Sequence, residues 1–253
     1  MKRQDLIDYL SELLKIDKFN DFCINGLQIE GKEDIDRVIT GVSISHRLIA
    51  EAINQNADAI IVHHGLFWKG EANPLSLTGI LATRVRDIMV NHINLLAYHL
   101  PLDSHPTLGN NAQIAQCLGM EIKERVDIDD WIGGGLVCEH TVPVSREVFQ
   151  KYIDGTLGSE SRLFAFGTNF VKKVFVCSGG SSDFYRKAIE HGCDTFLGGD
   201  IRESVVRLAE EAGLNFIAAG HYNTEKAGII ALGNHLIEKL NLDVHWTDIP
   251  NPV

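Results

Sequence analysis

Residues 38–42 (VITGV) and 58–62 (DAIIV) are short apolar runs rich in β-branched residues, separated by a helix-length stretch, 46–56 (HRLIAEAINQN). A second helical stretch over 80–92 leads to a third apolar run, 93–98 (INLLAY). Short apolar strands alternating with amphipathic helices are the signature of a mostly parallel sheet covered by helices. The same rhythm returns later, with strands expected at 174–178, 194–198 and 215–219 and helices at 183–191 and 202–212. VITGVS at 38–43 lies over VFVCSG at 174–179, and ADAIIVHHG at 57–65 over CDTFLGGDI at 193–201, both at an offset of 136. LLAYH at 95–99 lies over IAAGH at 217–221 at an offset of 122. The fold expected is α/β, built of two duplicated repeats with mixed, mostly parallel sheets and helices on the faces. The first repeat is placed at 1–125 and the second at 126–253, with the boundary inside 125–170.

The chain has 253 residues, enough for a full core without disulfides or structural metals. A metal site here is therefore functional before it is structural. The net charge of -11 argues against a nucleic-acid surface, where Lys and Arg must neutralise phosphates. The cysteines at 23, 117, 138, 177 and 193 are odd in number and form no CxxC, which reads as reduced thiols in a cytoplasmic protein. The N-terminal stretch carries Leu6, Leu10, Leu13 and Leu14 at helical spacing between acids, an amphipathic helix and not a signal peptide. No apolar run reaches the roughly 20 residues of a membrane span.

The chemistry gathers at the strand ends, where open α/β sheets bind ligands. Val62-His63-His64-Gly65 closes one strand. Adjacent side chains on a strand point to opposite faces, so both imidazoles serve one place only where the strand breaks, which Gly65 permits. His99 and Asp103 follow the next strand in HLPLD, where Pro101 is expected to enforce a loop. His221 and Glu225 follow the matching strand of the second half in GHYNTE, with Asn223 or Thr224 expected to cap a helix over about 225–240 and Glu225 in its first turn. Imidazoles with carboxylates suit Zn, Fe, Mn or Ni better than calcium, and a pair of such ions about 3.5–4 Å apart. His99 is either a ligand or a group that orients Asp103 or meets substrate, and a plausible proton carrier. Weaker candidates are the turn Ser178-Gly179-Gly180-Ser181-Ser182 as a phosphate cradle, Trp68 and Lys69 as substrate contacts, Asn25 as a ligand contact or a turn former, and His105, which reads as a surface residue.

NGLQIEG (25–31), VHHGLFWKG (62–70), HLPLDSHPTLGNNAQIA (99–115), AAGHYNTEKAG (218–228) and IPNP (249–252) together resemble the GTP cyclohydrolase I type 2 homologue family, also called the NGG-one-interacting-factor-three-like proteins, in its short bacterial form. The resemblance implies two intertwined α/β repeats, a toroidal homohexamer and a dinuclear metal site. It puts His64 and Asp103 on one metal, His63 and His221 on the other, and Glu225 between them. It also implies hydrolysis of a nucleotide or another phosphorylated small molecule. The same ligands serve a non-enzymatic metal chaperone, store or regulator, or a ring-shaped interaction protein, equally well.

Overall fold

A computed structural model describes residues 1–70, 76–128 and 131–253. Asp129 and Asp130, inside the stretch expected to hold the boundary, lie outside the described residues. The chain forms two compact units, residues 1–102 with 229–249, and residues 103–228 with 250–253. Residues 103–125, expected with the first repeat, lie in the second unit, and the C-terminal helix and strand return to the first.

The first unit holds β1 (Gly26–Ile29), β2 (Arg37–Ser43), β3 (Ala59–His64), β4 (Asn94–Ala97) and a C-terminal strand, Asp243–Trp246. The sheet order is β1-β4-β3-β2 and then the C-terminal strand, with only β1 antiparallel to its neighbour among the described residues. Alternate residues Ile39, Ile60, Val62, Leu95 and Ala97 pack on Leu48, Ile49 and Ala52 of the helix His46–Asn54 and on Val85 and Ile88 of the helix Gly79–Val90. The intervening Val38, Ile61 and Leu96 are buried as well, so both faces are covered, as a parallel sheet requires. The N-terminal helix, Arg3–Leu14, buries Leu6, Leu10 and Leu14.

The second unit holds β5 (Glu121–Ile128), β6 (Trp131–Ser145), β7 (Arg162–Phe164), β8 (Phe170–Cys177), β9 (Thr195–Gly198) and β10 (Asn215–Ala218), in the order β5-β6-β8-β9-β10-β7. β8, β9 and β10 run parallel, while β5, β6 and β7 join antiparallel, so this sheet is more mixed than the first. The helices Asn110–Cys117 and Arg146–Leu157 cover one face through Ile114, Phe149 and Ile153. Phe175, Phe196 and Phe216 carry the other against Tyr185, Ala188 and Val205.

The duplication is written in the hydrogen bonds. Val38 pairs with Ala59, and 136 residues on, Val174 pairs with Thr195. Asp58 Oδ2 accepts the amides of Asp36 and Arg37, as Asp194 Oδ2 accepts those of Lys172 and Lys173. Asn94 accepts from Gly31 and donates to Lys32, as Asn215 accepts from Gly167 and donates to Thr168. β1 lies on β4 as β7 lies on β10, so the repeated parts begin at β1 and β7, and the hairpin of β5 and β6 falls outside them. One alignment changes. Ala59 pairs with Asn94 where Thr195 pairs with Asn215, an offset of 121 rather than 122 for the third strands. His99 therefore corresponds to Gly220, and His221–Glu225 is not a repeat of His99–Asp103.

Candidate metal centre

In the first unit β3 delivers His63, fully buried, and His64 beside it. His63 Nδ1 lies 2.9 Å from the carbonyl oxygen of Tyr98, which only accepts, so Nδ1 carries a hydrogen. His64 Nδ1 meets Ser43 Oγ at 2.9 Å. After β4, His99 turns toward the same place. The nitrogens of His63, His64 and His99 lie within 4.8 Å of one another, and their ring centroids are 4.6–5.6 Å apart.

His99 is held by a residue that strand patterning does not flag. Asp21 Oδ1 accepts from His99 Nδ1 at 2.8 Å and from the Cys23 amide, while Oδ2 accepts from Asn25 Nδ2 and the Leu100 amide, both at 2.9 Å. Asn25 Oδ1 in turn takes the His99 amide, so Asn25 braces this loop. Burial works against the Asp21 charge, but the hydrogen bond and charge of His99, with the two amide-type donors, hold its carboxyl at about 2. Because the folded value lies below the ordinary carboxylate range, this stabilisation is complete near neutral pH and is lost as pH falls through the acid range. The stability difference between the protein and Asp21→Asn in denaturant titrations is expected to narrow by about 2 kcal/mol on going from neutral pH down to about pH 2.

Pro101 does not enforce a loop. Leu100–Asp103 is a single helical turn, because proline is tolerated where the amides have no helical partner anyway. In the second unit Asp103, buried, accepts from Asn110 Nδ2 at 2.7 Å, and Ser178 Oγ lies 3.4 Å away. Asn110 is pinned by the Gly228 amide at 2.8 Å. Neither Asn110 nor Asp21 is distinguishable in the sequence from an ordinary polar residue.

His221 opens a one-turn helix, His221–Thr224, after β10. Glu225 is not in the first turn of the following helix but at the break before it, Lys226–Leu240. His221 Nδ1 lies 2.8 Å from Asp200 Oδ2, and Nε2 lies 3.2 Å from Glu225 Oε2. Burial opposes a charged His221, yet the hydrogen bonds and charges of Glu225 and Asp200 outweigh it and lift the imidazole to about 9.

The turn Ser178–Ser182 is the wall of this half and not a phosphate cradle. The Gly179 amide donates to Thr224 Oγ1, its carbonyl accepts from Gly199 and Asp200, and Ser181 Oγ donates to Cys177. A Cβ on Gly179 would overlap Glu225 Oε1, so only glycine leaves the carboxylate its place. Trp68 donates to the Gly65 carbonyl and its ring stands 5.2 Å from that of His99, whereas Lys69 is exposed. His105 Nδ1 accepts the Thr107 and Leu108 amides, a local turn.

The structure thus brings His63, His64 and His99 together in one unit and His221 with Glu225 in the other, with Asp103 held beside Ser178. The donors fit a divalent transition ion. His63, His99 and His221 each turn Nδ1 to a carbonyl or carboxylate and His64 turns it to a hydroxyl, the outer pattern of metal-ligating histidines, and the two carboxylates are buried.

Residues 1–252 match the Duf34/NIF3 (NGG1p interacting factor 3) family. A protein named "GTP cyclohydrolase 1 type 2 homolog" from Haemophilus influenzae is 41% identical over 258 residues, covering 100% of both chains. One of the same name from Escherichia coli is 41% identical over 253 residues, again covering 100% of both. Among solved structures, protein ybgI, described as of unknown function, matches with a TM-score of 0.95 at 40% identity, and TTHA1606 from Thermus thermophilus with 0.89 at 32%, each covering 100% of both chains. The chain belongs to the DUF34/NIF3 family.

Proposed function

We propose that the chain holds two divalent metal ions through His63, His64, Asp103, His221 and Glu225, and hydrolyses a nucleotide or another phosphorylated small molecule. The observation that carries this reading is the common posture of the histidines, Nδ1 on oxygen, with ring nitrogens of His63, His64 and His99 gathered within 4.8 Å and His221 Nε2 3.2 Å from Glu225. Family membership supports it, since relatives bear the name GTP cyclohydrolase 1 type 2 homolog. Zn, Fe, Mn and Ni all suit the ligand set. Bound ions of this kind supply a hydroxide at neutral pH and polarise the atom under attack. The protein's own part is to fix the imidazoles through Tyr98, Ser43 and Asp200 and to hold Asp103 through Asn110. Glu225 has the longer reach and is assigned as the shared carboxylate. The five free cysteines fit a reducing cytoplasm. Among the described residues no helix is long and apolar enough to cross a membrane. We further propose a homohexameric ring, to be read as six subunit masses by light scattering.

The test is elemental analysis of protein purified without an affinity tag, followed by a nucleotide panel. Glu225→Gln is expected to lower turnover at least about 100-fold with the circular dichroism spectrum unchanged, since loss of an outer partner alone costs about 10–100-fold. Metal uptake and release with no turnover on any panel member would instead identify a metal store or chaperone.

A further inference from the structure

Trp68 is held more firmly than a surface side chain needs. Its backbone bridges to Cys23, the Ile24 amide donates to the Phe67 carbonyl at 3.1 Å and the Lys69 amide to the Phe22 carbonyl at 2.6 Å. Residues 22–24 and 67–69 therefore form a short antiparallel ribbon. Gln28 laces the same segment, its Oε1 accepting the Leu66 and Phe67 amides and its Nε2 donating to the Ile24 carbonyl. The indole N–H donates to the Gly65 carbonyl at 3.2 Å, which fixes the ring itself. The side chain packs against the core of the first unit and stays partly exposed. Its ring centroid stands 5.2 Å from that of His99, edge-on, and 6.0 Å from that of His64. A rigid, flat, largely apolar surface thus stands beside two imidazoles of the site. Small-molecule sites are built in this way, from aromatic walls with a few polar groups set among them. A sugar phosphate has no aromatic face to lay against an indole, whereas a nucleobase has one, and every base offers it.

We propose that Trp68 is a substrate-contacting residue that takes the nucleobase of a nucleotide, so that nucleotides, and not sugar phosphates or other small phosphorylated molecules, are the ligand class of this site. The proposal rests on the reading given under the proposed function and narrows its choice of substrate. It gives Trp68 no part in holding metal.

The probes are AMP, GMP and ribose 5-phosphate, added to the full chain as purified and to Trp131→Phe/Trp246→Phe, in which Trp68 is the remaining tryptophan. AMP and GMP are expected to quench its fluorescence saturably, and ribose 5-phosphate to bind at least about 5-fold more weakly. This quench needs no change at Trp68, so it decides the matter even where a substitution there fails to fold. By calorimetry, nucleotide affinity is expected to fall about 5–100-fold in Trp68→Leu, with ribose 5-phosphate affinity kept. Trp68→Phe is expected to restore most of the nucleotide affinity, a rescue that a mere cover for the core would not show. Metal content is expected to stay constant in both variants, which separates loss of the base contact from damage to the metal centre. The proposal is overturned by the absence of a quench, by equal affinity for ribose 5-phosphate and the nucleotides, by unchanged nucleotide affinity in Trp68→Leu, or by a Trp68→Phe as weak as Trp68→Leu. Nucleotide binding through Trp68 with no turnover on any panel member upholds the proposal and defeats only the hydrolytic reading. Turnover of sugar phosphates alone does the reverse.

Discussion

Gly179→Ala is expected to remove metal uptake at the His221 and Glu225 half while leaving the sheet intact. Two effects add at this position. The backbone has φ +63°, the left-handed region, which costs an L-residue about 1–2 kcal/mol. The new methyl group would also occupy the place of Glu225 Oε1, with the Glu225 carboxyl carbon at 3.2 Å and His221 Nε2 at 3.3 Å. The turn cannot simply back away, because the Gly179 carbonyl holds the amides of Gly199 and Asp200, and Asp200 positions His221. Affinity in a chelator competition is therefore expected to fall at least about 100-fold, more than loss of an outer partner alone, with a modest drop in melting temperature. Unchanged affinity would mean that Glu225 is not a ligand.

Phe196→Ala is expected to have the largest effect on stability alone. Phe196 is fully buried, stacked on Phe216 at 4.7 Å and 10° and tilted on Phe175 at 5.5 Å. Removing a ring from such a place costs about 3–5 kcal/mol, from lost burial, a cavity and the lost aromatic contacts. Denaturant unfolding should show a lower midpoint with metal affinity per folded molecule unchanged. A loss under about 1 kcal/mol would mean that the neighbouring rings collapse into the space.

The strands with apolar, β-branched runs are legible in the sequence, because burial on both faces leaves no other composition open to them: β2, β3 and β4, and β8, β9 and β10. β1 and the C-terminal strand, four residues each, are too short to carry a period. β5 is exposed over its first five residues, so its sequence reads as polar surface, and it becomes a strand only by pairing with β6. At the site, histidines after apolar strands stand out. Asp21 does not, since it meets His99 across 78 positions of sequence and no local pattern encodes that contact. The one-residue error in the third-strand alignment has the same origin. LLAYH and IAAGH share a histidine, and that identity outweighs the ladder register, which side-chain chemistry does not reveal. The short turns at Leu100–Asp103 and His221–Thr224 escape sequence reading because a single helical turn carries no periodicity.

The paired clips of Asp58 with Asn94 and Asp194 with Asn215 sit where their strands begin, and the histidines and their oxygen partners sit where the strands end. A six-residue strand such as β3 spreads these over about 17 Å. Changes that far apart add independently. The features the two halves share and those in which they differ therefore sit at opposite strand ends. The clips match between the halves at one end, while at the other His63 and His64 of one half correspond in register to Gly199 and Asp200 of the other. Libraries that randomise the strand ends while leaving the clips alone should yield a high fraction of folded variants with altered metal preference.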